Sequence, residues 1–128
     1  MASLVLDSSV WIALFVDDDP HHAKAAQFVA SKSGTIYLPY VVLSEAATVI
    51  TYKHSKAQAE RFVTFLEADS DIVWLESDGV ADRAFFKTIS SKISFADATL
   101  LRLAIALKAE LITYDQQLAR LYRKTFRH

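Results

Sequence analysis

The chain has no cysteine among its 128 residues. Disulfides and thiolate metal sites are therefore excluded, and nothing calls for an oxidising compartment. Only two glycines and two prolines are present, which leaves little room for long structureless loops. No P-loop and no GxSxG nucleophile motif occurs. The histidines lack zinc spacing, and the adjacent His21 and His22 cannot both face one site. The longest apolar run, residues 10–16, falls well short of the roughly 20 residues that span a bilayer. The first residues carry neither the basic flank nor the apolar stretch of a signal peptide. A dominant charge is missing too: the net charge is −1, so global charge lends no support to nucleic-acid binding. These absences lead us to expect a soluble cytoplasmic protein with no membrane segment.

What is present is a sequence 52% hydrophobic and 23% charged, which argues against disorder and for one folded domain over residues 1–128. Short apolar β-type runs at residues 3–6, 35–38, 72–75 and 111–114 read as strands, and the tail around Thr125 and Phe126 is a candidate fifth. Between them, residues 8–16, 20–33, 40–53, 56–68, 80–90 and 94–109 read as helices, with a short one at 116–122. Asp19-Pro20 reads as a cap and first-turn proline, and Gly34 as a left-handed helix end. Strands alternating with helices imply an α/β fold, a three-layer α/β/α sandwich around a parallel sheet of four or five strands. The strand runs are continuous rather than alternating, as expected for strands buried on both faces. Residues 10–16 and 94–109 are apolar nearly all round, so those helices are either buried or shared with a second copy in a homodimer.

Four acids interrupt this apolar pattern. Asp7 ends the run Leu4-Val5-Leu6, and Asp115 ends Leu111-Ile112-Thr113-Tyr114. Asp97 falls in the first turn of a helix, and Glu45 sits on a helical face with Val41, Val42 and Val49, where a lone carboxylate would be buried without a local partner. Each has a bland explanation. Asp7 could cap the helix that follows it, Asp115 could cap residues 116–122, and Asp97 could complete a capping box with Ser94. Taken together, ligand sites in parallel α/β sheets lie beyond the carboxyl ends of strands. Right-handed crossovers bring these four positions to one such edge. Converging carboxylates call for a divalent cation. Ser9 and Thr113 lie two residues from Asp7 and Asp115; if the strand runs through, Thr113 and Asp115 share a face and the hydroxyls can orient a carboxylate or a water. Asp17-Asp18-Asp19 lack the spacing of a calcium loop and read as a solvated turn.

The stretches LVLDSSVWIALF, VVLSEAATVI, SFADATLLRLAIAL and LITYDQQLAR resemble, in order and spacing, the PIN-domain ribonucleases, especially the VapC-like toxins of type II toxin–antitoxin systems. The resemblance covers essentially the whole chain. It implies Asp7, Glu45, Asp97 and Asp115 as the catalytic acidic quartet, with Asp7, Asp97 and Asp115 holding Mg²⁺ or Mn²⁺ and Ser9 and Thr113 in support. It implies an endoribonuclease that leaves a 5′-phosphate and a 3′-hydroxyl, and an antitoxin as protein partner. A stand-alone PIN nuclease, or a silent PIN module that only binds RNA or protein, would read similarly. Lys53, His54, Lys56, Arg120, Arg123 and Lys124 form two small basic clusters that suit either the RNA backbone or solvated helix ends. One departure from many relatives is Lys108, where they carry glycine. A left-handed turn there would cost lysine about 1 kcal/mol. A receiver-like or phosphatase-like module using Asp7 as phosphoacceptor is disfavoured, because the second acid two residues on is replaced by Ser9.

Overall fold

A computed structural model describes residues 3–126. The apolar runs form strands β1 (Ser3–Leu6), β2 (Thr35–Pro39), β3 (Ile72–Leu75) and β4 (Glu110–Ile112). All pairings are parallel, in the order β3-β2-β1-β4. Val5 lies opposite Tyr37 on one side and Leu111 on the other, so β1 is central. Its Leu4, Val5 and Leu6 are wholly buried, as a parallel strand covered on both faces requires.

The helices among the described residues are α1 (Ser8–Phe15), α2 (His22–Ser31), α3 (Tyr40–Lys53), α4 (Lys56–Ala68), α5 (Gly79–Thr88), α6 (Phe95–Leu107) and α7 (Gln116–Phe126). The chain steps outward from β1 through β2 to β3, then returns across the sheet to place β4 on the other side of β1. Right-handed crossovers put α1 to α4 on one face and α5 and α6 on the other, which is the expected three-layer arrangement. The reversal of direction makes the carboxyl ends of β1 and β4 the switch point of the sheet, where such folds place ligands.

The layers are held by specific packing. Trp11 is buried and its ring centroid lies 6.0 Å from that of Phe62. Phe15 meets Phe62 and Phe65 edge-on at 5.1 and 5.3 Å, so α1 is pinned to α4. Truncating a ring such as Phe62 to alanine typically costs about 3–5 kcal/mol. On the opposite face Arg102 of α6 donates to the buried Asp82 of α5 at 2.8 Å. Sequence reading did not single out this pair: Arg102 interrupts the apolar run of α6, but its partner lies 20 residues away with no local pattern to mark it. Helices α1 and α6 bury Val10, Trp11, Ala13, Leu100, Leu101 and Ala104 in the core, while Phe95 at the start of α6 stays exposed.

Several expectations need correction. Thr125 and Phe126 belong to the last turn of α7 rather than to a fifth strand. The helix continues because Thr125 satisfies its hydroxyl on the Leu121 carbonyl four residues back, at 2.8 Å. The strand expected at residues 111–114 stops at Ile112. β3 is an edge strand with Val73 and Trp74 exposed, not a strand buried on two sides. Asp19 does not cap a helix starting at Pro20: its carboxylate accepts the His21 amide at 2.8 Å, and α2 starts at His22. Gly34 does take a positive φ of 119°, two residues beyond the last helical carbonyl bond made by Lys32.

Lys108 ends α6 in the left-handed region, at φ 53° and ψ 40°, with its amide bonded back to Ile105 at 3.2 Å. A side chain is strained there. Lys108→Gly relieves the strain but adds freedom to the unfolded chain, so a net stabilisation of about 0.5–1 kcal/mol is expected in urea denaturation. A destabilised variant would contradict the strain argument.

Candidate active site

The site begins where β1 ends. Asp7 leaves the strand in extended conformation and caps α1, its Oδ1 accepting the Ser8 amide at 2.7 Å. It is 5% exposed. Oδ2 accepts hydroxyls from Thr113 at 2.7 Å and Ser9 at 3.2 Å. Proton direction in both contacts is set from behind. The Tyr114 amide donates to Ser9 Oγ at 3.1 Å and the Asp115 amide donates to Thr113 Oγ1 at 3.0 Å. Each hydroxyl thus accepts from a backbone N–H and turns its own proton onto Asp7. Among the described residues no cation pairs with this buried carboxylate.

Both hydroxyls donate to Asp7, and for Thr113 the geometry is not that of a shared strand face. Residues 113–115 lie beyond β4, so a shared strand face does not align Thr113 with Asp115; the amide-to-hydroxyl bond does. Asp115 caps α7, accepting the Leu118 amide on Oδ1 at 2.9 Å. Asp97 lies in the first turn of α6, and its amide bonds the Ser94 hydroxyl at 3.0 Å.

Glu45 is a correction. It is exposed rather than buried, and it has a partner: Ser8 Oγ donates to its Oε1. Ser8 is the residue that sequence reading missed. It lends its amide to Asp7 and its hydroxyl to Glu45, linking the first acid to the second across 37 positions. The only local signal was a second serine beside Ser9.

The four acids act on one another. Asp97 is raised from its ordinary 3.8 to about 6, first by burial and then by the negative charges of Asp7, Asp115 and Glu45. Asp7 is also raised, chiefly by burial, despite the hydroxyls and amide that favour its charged form. Four carboxyls from four different segments thus share one edge of the sheet. Their oxygen-only chemistry fits a hard divalent cation of the Mg²⁺ type. Among the described residues no three acidic or histidine side chains close into a cage.

The basic candidates do not gather at this edge. Lys53, His54 and Lys56 are exposed at the α3–α4 turn; Lys53 is eight residues past Glu45, roughly 12 Å along the helix. Arg120 and Lys124 line a groove with Ser91 and Gln117, and Arg123 is exposed on the same helix. Closer in, His21 stacks on Tyr114 at 4.4 Å, and Lys24 lies 5.6 Å from the same ring.

A carboxyl whose pKa is higher in the folded chain than in the unfolded one binds its proton more tightly when folded. Its contribution to stability is full below pH about 4 and is lost as pH rises through about 6. Metal-free Asp97→Asn is therefore expected to melt above the wild type at pH 7.5, with the gap closing towards pH 4. A wild type equal to or above the variant at pH 7.5 would contradict the mutual repulsion of the acids.

Comparison with known proteins agrees with this architecture. No curated protein matches the sequence. A crystal structure of Mycobacterium tuberculosis VapC20, a Sarcin-Ricin loop cleaving toxin, superposes with a TM-score of 0.82 at 17% identity, covering 92% of this chain and 94% of that one. At that identity the likeness speaks for the fold alone. Among the described residues no helix is long and apolar enough to cross a membrane. The PIN domain family matches residues 4–124, and with nearly the whole chain matched, the protein belongs to the PIN-domain family, whose members are typically nucleases.

Proposed function

We propose that the chain is a metal-dependent endoribonuclease, with the acidic edge between β1 and β4 as its active site. The observation that carries this reading is the convergence of four acids from separate segments, close enough to act on one another, around an Asp7 that is buried with no cation beside it among the described residues. Such crowding is unfavourable for stability and has a purpose where a cation is to be held.

Asp7 and Asp97 would hold Mg²⁺ or Mn²⁺, with Asp115 as a further ligand or as the anchor of a bound water. The cation supplies charge stabilisation on the phosphate and makes a bound water more acidic. Ser9 and Thr113 orient Asp7 by donating to it, and a backbone amide on each hydroxyl oxygen favours that direction of its proton. Asp115 keeps one oxygen on the α7 cap, which leaves the other for the site. Glu45, exposed at the rim and steadied by Ser8, positions or deprotonates the attacking water, or binds a second ion. In-line attack on phosphorus then leaves a 5′-phosphate and a 3′-hydroxyl. A polyanion can approach this acidic edge because a bound cation inverts the local sign. Lys53, His54, Lys56, Arg120, Arg123 and Lys124, all exposed, serve the outlying backbone.

The fold shared with a VapC toxin supports a narrower reading in which the nuclease is the toxin of a pair and an antitoxin covers the acidic edge. Asp7→Asn should lower the rate of RNA cleavage in Mn²⁺ by more than about 100-fold without loss of folded structure by circular dichroism. Expression of the wild type, but not of the variant, should arrest growth. Metal-dependent cleavage retained in Asp7→Asn would contradict the assignment; cleavage without growth arrest would leave a nuclease and remove the toxin role.

A further inference from the structure

Beside the acids lies a second cluster that their chemistry does not use. Tyr114 is the residue between Thr113 and Asp115, and its amide is tied to Ser9. Its half-buried ring turns toward the start of α2, where the exposed His21 ring lies over it at 4.4 Å and 22°. Lys24, also exposed, sits 5.6 Å from the ring centroid. The position of His21 is set by its amide, which donates to Asp19 Oδ1 at 2.8 Å. The acid beside the cluster is Asp19, whose charge also reaches Tyr114; neither His21 nor Lys24 makes an ion pair among the described residues. Of the remaining arginines and lysines, Arg102 is committed to Asp82.

We propose that His21, Tyr114 and Lys24 form a nucleotide subsite flanking the scissile phosphate. An unpaired base stacks on the outer face of His21, which Tyr114 backs, and Lys24 takes the adjoining phosphate. The proposal rests on the endoribonuclease reading above and adds to it the place where the strand is held. Its basis is register. Tyr114 adjoins Asp115, and its amide donates to the Ser9 hydroxyl that in turn donates to Asp7, so the aromatic platform is anchored beside two of the four acids. Aromatic stacking accepts any unpaired base, and a paired base offers no free face. The subsite therefore selects single-stranded or looped RNA over duplex without choosing a base sequence.

The test uses a fluorescent single-stranded RNA oligonucleotide and the same strand in a full duplex. Binding is followed by anisotropy in Ca²⁺, and cleavage is followed separately in Mn²⁺. The His21→Ala, Lys24→Gln double variant is expected to weaken single-strand binding and to raise KM by about tenfold, with kcat within about twofold of the wild type. His21→Phe, which keeps a stacking face, restores most of the affinity lost in His21→Ala. Lys24→Gln reduces the slope of log affinity against log salt by about 0.7. On the duplex, His21→Ala has no effect. Unchanged single-strand affinity, a failure of His21→Phe to restore it, or an equal loss on the duplex would overturn the subsite. A wild type that binds with this pattern but does not cleave contradicts the nuclease reading alone. Cleavage with unaltered KM in the double variant contradicts the subsite alone.

Discussion

A single buried carboxylate organises this edge of the molecule. Asp7 accepts from the Ser8 amide and from the hydroxyls of Thr113 and Ser9, with the Ser8 hydroxyl farther off at 3.4 Å, and every one of these donors is neutral. Neutral donors offset part of the cost of burying a charge but do not cancel the charge itself. The net result is visible in the direction of the Asp7 shift, upward in spite of its donors. Everything near it answers to that residual charge. Asp97 is raised in turn, Asp115 adds to the pressure, and Glu45 stays at the solvent rim where its own charge is hydrated. The parallel sheet makes such crowding possible, because its switch point brings the ends of β1 and β4 side by side.

Helix capping and carboxylate clustering turn out to be compatible. Asp7 caps α1 and Asp115 caps α7, each with Oδ1, while Ser94 caps α6 three residues before Asp97. Starting a helix at the carboxyl edge of a sheet aims its free amides at the cleft, and an acid placed there serves the helix with one oxygen. The other oxygen of Asp115 is left over, and that of Asp7 takes the hydroxyls of Thr113 and Ser9. The bland and the functional explanations of these acids therefore describe two ends of the same side chain.

The residues that were readable from the sequence are those whose role is written into a local pattern. The bounds of α3 and α4 follow from helical periodicity between clear breaks, and Asp7 and Asp115 stand out because each ends an apolar run. What escaped reading depends on partners distant in the chain. Ser8 looked like a helix start, and its hydroxyl contact with Glu45 exists only once α1 and α3 are side by side. The Arg102–Asp82 pair needs α5 packed on α6. The stack of His21 on Tyr114 joins residues 93 positions apart, and nothing near either one announces it. Thr125 and Phe126 have β-type side chains but continue a helix already nucleated at Asp115, so context outweighed propensity.

The central claim is that the acids repel one another until a divalent cation joins them. It is tested most directly by thermal unfolding at pH 7.5 in EDTA and in Mn²⁺ at about 100 times its dissociation constant. Binding to the folded chain alone contributes about 2.7 kcal/mol under those conditions. The account predicts a rise of several degrees in the wild type that largely disappears in Asp97→Asn. Equal melting temperatures with and without the metal in the wild type, or the same rise in both proteins, would contradict it.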